Sequence, residues 1–86
     1  MSAGVAPLYT LAADALRFDD RETAARHLYQ AAEDLEISAP QLAEETRCTA
    51  ETLPRMLPED IRRVASDLRA VANDLAEAER NREAER

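Results

Sequence analysis

The chain has 86 residues, a formal net charge of −7 and a single cysteine; that length makes one domain with a modest core. An acidic chain with no intramolecular disulfide is not the footprint of a non-specific nucleic-acid binder, nor of a disulfide-stapled secreted scaffold. Hydrophobic residues make up 45%, yet the aromatics are only two tyrosines and one phenylalanine. The core must therefore come from alanine, leucine and valine, which pack best where helices approach closely.

Ala, Leu, Glu and Arg are strong helix formers, and the one glycine, Gly4, lies near the N-terminus, so the turn glycines that hairpins require are missing. The fold class is all-α. The opening MSAGVAPLYT has no basic stretch and no apolar run, so no secretory leader is expected, and no segment has the ~18 apolar residues of a membrane span. A cytoplasmic location follows as the expectation.

In chain order, Pro7 suits a first helical position, and Leu8, Leu11, Ala12, Ala15 and Leu16 follow at i, i+3, i+4, i+7 and i+8. This first helix should stop near Phe18. Asp19 and Asp20 offer N-cap oxygens, Asp19 with Glu22 resembling a capping box. A second helix to about Glu36 should bury Ala24, Leu28, Ala31, Ala32 and Leu35. Ser38-Ala-Pro-Gln41 reads as a serine cap, an early proline and a glutamine that reaches back. The third helix it opens should end near Thr46. After an Arg47-Cys48-Thr49 turn, Thr49 could cap a fourth helix to Met56 or Leu57, with Pro54 inside it.

Pro58-Glu59-Asp60 opens the last helix with proline early and acids in its first turn, both favourable at a helix N-terminus. Ile61, Leu68 and Leu75, and Val64, Val71 and Ala78, repeat at seven-residue intervals, with Ala65 and Ala72 widening the seam. At 1.5 Å per residue the helix could extend about 40 Å. The architecture expected is about five helices with a helix-turn-helix-like centre and a long C-terminal helix. Residues 1–78 form the domain, and 79–86 a solvated, charged helix end or tail.

Residues 38–57, ISAPQLAEETRCTAETLPRML with Ile37 in front, resemble the helix-turn-helix family of DNA-binding domains. Leu42 and Ala43 match its apolar-then-small pair, Cys48 the apolar position after the turn, and Leu53 and Met56 the core positions of the recognition helix. Two residues depart from the pattern. Arg47 stands where the family usually has glycine, at a left-handed turn position that costs arginine about 1 kcal/mol or more. Pro54 costs roughly 3 kcal/mol inside an uninterrupted helix, so the fourth helix either kinks or starts late, capped by Thr52 or Leu53.

The resemblance implies a dimeric transcriptional regulator. Thr49 and Thr52 would then bond phosphates, Glu51 accept from cytosine and Arg55 pair with guanine. Arg62 and Arg63 would anchor phosphates; the bland alternative is a solvated helix face. Dimerisation is expected through Leu68, Val71, Leu75 and Ala78, a coiled-coil period, unless that face covers the domain's own core.

The alternative function is a non-catalytic acidic helical adaptor for a protein partner, able to occlude a nucleic-acid-binding surface. Double-stranded DNA and a protein are thus the two partners to weigh. An adaptor should ignore duplex DNA and lose its partner when Asp19 or Glu33 is neutralised. Catalysis is not expected: His27 and Cys48 lie on different predicted helices with no strained elbow, and Cys48 reads as a small buried hydrophobe. One histidine and one cysteine do not make a zinc site, and no cofactor is implied. Tyr9, Tyr29 and Phe18 read as core packing between the first two helices.

Overall fold

Four helices and one 3₁₀ turn account for the backbone in the computed structural model, which describes residues 4–84. They are α1 (Ala6–Arg17), α2 (Arg21–Leu35), α3 (Pro40–Thr52), the 3₁₀ turn (Leu53–Arg55) and α4 (Pro58–Ala84). Among the described residues there is no strand. The all-α class holds, with four helices in place of five.

The difference lies at residues 47–49, where a turn was expected and helix is found: α3 runs unbroken from Pro40 to Thr52. Arg47 therefore escapes the left-handed conformation, and the only described residue other than glycine with positive φ is Asp19, at 56°. No glycine lies near enough to stop the helix, so continuing it costs less than forcing arginine across a turn. The stop comes from Pro54, whose missing N–H cannot bond back to the turn before it. Leu53 is still right-handed helical, although a following proline disfavours that region. Its side chain is fully buried, which offsets the cost.

The α1–α2 corner is built from backbone and carboxylate groups. Asp19 and Asp20 donate their N–H groups to the carbonyls of Leu16 and Ala15, at 3.1 and 3.0 Å, the paired bonds of a Schellman ending with Asp19 in the left-handed slot. Asp20, not Asp19, then caps α2, accepting from the Thr23 N–H at 3.2 Å. At α3 the expected serine cap is displaced as well. Ala39 occupies the N-cap with no side-chain bond, and Pro40 supplies the first turn.

All five core residues expected of α2 are buried, and α1 buries Ala6, Tyr9, Ala12, Ala13 and Leu16. The buried face of α1 is thus turned about one residue from the expected stripe, leaving Leu11 exposed. Alanines at 12, 13, 24, 31, 32, 43, 50 and 72 fill much of the core, and this lets the helices close in. Phe18 and Tyr29 are not core residues: they are 82% and 43% exposed. Cys48 is likewise exposed, because the unbroken helix carries it to the side opposite Ala43, Thr46 and Ala50.

Each helix runs antiparallel to its packing neighbours, in the spatial order α4, α1, α2, α3. Asp14 of α1 pairs with Arg69 of α4 at 3.7 Å. Gly4 lies so close against the Glu79 carboxylate that a Cβ there would force it aside. Through this pairing α1 and the residues just before it lie along α4 as far as Glu79, and the longest dimension, 44 Å, is close to the roughly 40 Å that α4's 27 residues span. Residues 79–84 of the expected tail continue α4, while 85 and 86 lie outside the described residues. No described helix is long and apolar enough to cross a membrane.

Candidate functional site

The residues expected to face DNA fall on three different elements. Thr49, Glu51 and Thr52 lie in the last turns of α3, Arg55 on the 3₁₀ turn, and Arg62 and Arg63 on α4. The Thr49 hydroxyl donates to the Glu45 carbonyl at 3.0 Å, and that of Thr52 to the carbonyls of Cys48 and Thr49, both at 3.1 Å. Those donors are spent on the helix's own backbone. Glu51, Arg55, Arg62 and Arg63 are exposed. No free-standing helix carries residues 49–57; three of them form a single 3₁₀ turn with Leu53 buried beneath it.

That turn is held from outside by Arg21, the first residue of α2. Its Nη1 donates to the carbonyl of Met56 at 2.7 Å and of Leu53 at 3.1 Å, with Pro54 O further off at 3.4 Å. Its Nε donates to the Asp19 carboxylate at 3.2 Å. A guanidinium suits this place because its donors form a flat fork, and the carbonyls beyond Pro54 lack intrahelical partners. The result pins the α3–α4 connection to the α1–α2 corner and makes one rigid pole of the molecule.

The expected dimer seam mostly faces inward. Leu68 is buried, Val71 and Leu75 are half-buried against the core, and Ala78 is exposed. A straight helix turns every 3.6 residues, so a strict heptad drifts about 20° per repeat. The inward line therefore passes through Ile61, Ala65, Leu68 and Ala72 to Ala76 and Glu79, and Ala78 rotates out.

Beside that line, Leu68 and Val71 meet Tyr9, Leu42, Thr46 and Thr49 in a slot of about 150 Å³ between α4 and α3. At its floor the Tyr9 hydroxyl and the Thr46 hydroxyl share a hydrogen bond, and both residues are buried. Burial pushes the Tyr9 phenol up from its usual range, the Thr46 bond opposes this, and the Glu45 carboxylate adds to the rise. The pair satisfies itself and presents nothing to a ligand.

The larger concavity lies at the rigid pole, between the end of α1 and the start of α4, with a volume of about 630 Å³. Its floor is apolar, made by Leu16 and Ile61, both buried, with Ala65 beside them. Arg17, Arg62 and Arg69 stand around it, with Asp19 as the one acid in the lining. Asp19 is already bonded to Arg21, and Arg69 is partly neutralised by Asp14. Arg17 and Arg62 pair with no carboxylate among the described residues. The lining thus carries three positive charges and one negative, in a chain whose total is −7.

Two exposed apolar residues adjoin the lining along the chain. Phe18, between the lining residues Arg17 and Asp19, is 82% exposed; Leu57, just before Pro58, is 63% exposed. The chain matches no protein-family model, no curated protein and no solved structure.

Two of the groove's lining residues carry binding roles in the sequence reading, Arg62 toward DNA and Asp19 toward a protein partner. Arg62 and Arg69 stand seven apart, so their shared face of α4 was legible in the spacing. Arg17 joins them only through the antiparallel packing of α1. The sequence places Phe18 in the core between the first two helices and Leu57 at the end of a fourth helix, and nothing local marks either as left outside.

Proposed function

We propose that this protein is a non-catalytic helical interaction module whose partner is another protein. The observation that carries this is the pole around residues 53–58. A segment that would have to be a freely exposed reading helix for DNA is a single clamped turn, and the exposed surface beside it is apolar and arginine-lined. An exposed Phe beside a groove with Arg at its rim brings together residue types enriched in protein-binding interfaces, aromatic residues and arginine. Groove insertion into DNA needs a rod that projects from the domain, and the end of α3 is held by the hydrogen bonds of Arg21 with Leu53 buried.

The DNA-binding reading keeps one supporting observation: Arg55, Arg62 and Arg63 are all exposed near the same pole. Titration of mixed-sequence duplexes at low and moderate salt separates the two. A protein-binding module leaves the duplex unbound. Saturable binding that falls steeply with salt, and weakens in Arg55→Ala, Arg62→Ala and Arg63→Ala, overturns it.

On the positive side, a partner isolated from the native cell and then purified should form a stoichiometric complex with the purified chain. Phe18→Glu and Leu57→Glu should each abolish that complex while leaving helix content intact. Glu33→Gln tests the acidic face of α2 in the same assay. It is a cleaner probe than Asp19, whose carboxylate also holds Arg21.

A further inference from the structure

Resting on the protein-partner reading above, we infer that the groove between the end of α1 and the start of α4 takes an acidic amphipathic segment of the partner, apolar side chains inward and carboxylates against Arg17, Arg62 and Arg69. The chemistry of the lining selects this occupant. Leu16, Ile61 and Ala65 form a floor that gains from apolar anchors and offers a phosphate nothing. Arg17 and Arg62 have no carboxylate partner among the described residues, and guanidinium groups bond carboxylates in two-pronged pairs.

Charge range decides between an acidic peptide and DNA. At physiological salt, fields decay over about 8 Å. A short acidic segment seated in the groove therefore responds mainly to the local excess of arginine. A duplex carries a charge roughly every 1.7 Å along a rigid rod and would reach past the groove to the acidic remainder of a −7 chain. The groove's position also favours a preformed site, since the Arg21 clamp fixes the neighbouring connection and so lowers the ordering cost of binding.

The test uses the full chain and a fluorescein-labelled helical peptide with leucines at i, i+3 and i+7 flanked by glutamates. Saturable binding is expected, with amide shift changes confined to residues 16–19 and 58–69. The same peptide with glutamine for glutamate should bind about tenfold more weakly, as should the wild-type peptide against Arg17→Glu/Arg62→Glu. Arg17→Gln/Arg62→Gln gives the same readout should the reversal unfold the chain. Arg80→Glu/Arg82→Glu, on the protruding end of α4, makes the same change in net charge and should leave affinity unchanged.

Equal binding of the glutamine peptide, equal loss in the Arg80/Arg82 variant, or shifts centred elsewhere overturns the inference. Silence of both peptide and duplex removes the acidic-segment assignment while leaving the protein-partner reading standing. A duplex that displaces the peptide and depends on Arg17 and Arg62 overturns both.

Discussion

At the scale of single residues, Tyr9 and Thr46 form the one side-chain hydrogen bond between two buried residues among those described. Removing either hydroxyl strands the other away from water, so Tyr9→Phe and Thr46→Val should each cost about 1–3 kcal/mol, while the double variant is closer to neutral. Urea unfolding of the four proteins measures the coupling; additive losses would show that the pair is not a unit. Because the folded state raises the Tyr9 phenol, its neutral form is the one folding favours. The contribution is full below the unfolded pKa near 10 and is lost as pH rises above it, an alkaline instability that Tyr9→Phe should diminish.

Asp20 works in the opposite sense. Accepting from Thr23 holds its carboxyl below the usual range, so its stabilisation is present above the unfolded pKa of about 4 and fades as pH falls through the folded value. Asp20→Asn keeps an N-cap acceptor without the titration. Thermal melts should therefore show a flatter stability profile below pH ~4 for that variant than for the parent; an unchanged profile would remove Asp20 from the acid response.

At the scale of elements, the continuity of α3 across residues 47–49 is the finding with most consequence, and a glycine reads its sign. In a left-handed turn Arg47→Gly would stabilise the protein; inside a helix it should destabilise by roughly 0.5–1 kcal/mol. The structure requires the second outcome. The end of α3 has its own test in Arg21. Arg21→Met keeps much of the apolar stem and removes the donors, with an expected loss of about 1.5–3 kcal/mol and faster amide exchange confined to residues 53–57 and the α1–α2 corner. Slow exchange retained there would mean that burial of Leu53 alone holds the turn.

At the scale of the whole molecule, α1 covers α4 along most of the seam expected to pair with a second copy. What is left for a partner helix is Ala78 and the outer edges of Val71 and Leu75, too little apolar surface for a stable coiled coil. Sedimentation equilibrium should return the 9.6 kDa monomer. A dimer dispersed by Leu75→Glu would instead restore the paired-helix expectation. The acidity is also unevenly distributed: the 630 Å³ groove is the place where arginines gather, which makes local charge rather than net charge the quantity that selects a partner.

Features under local chemical control were legible in the residues alone. Propensity and the absence of interior glycine forced an all-helical chain, and proline at positions 7, 40 and 58 placed three helix starts within a residue or two. The spacing of Ala24, Leu28, Ala31, Ala32 and Leu35 set the inward face of α2, because a single unambiguous apolar stripe permits one rotation. The tertiary structure decided what depends on partners distant in sequence. It chose between two near-equivalent stripes on α1 through the bond from Tyr9 to Thr46, 37 positions away, and set α1 over the inward face of α4. It also brought Arg21 across to residues 53–56, and Arg17 to Arg62 and Arg69. A side chain's local pattern records which faces can be buried; only packing settles which of them find something to bury against.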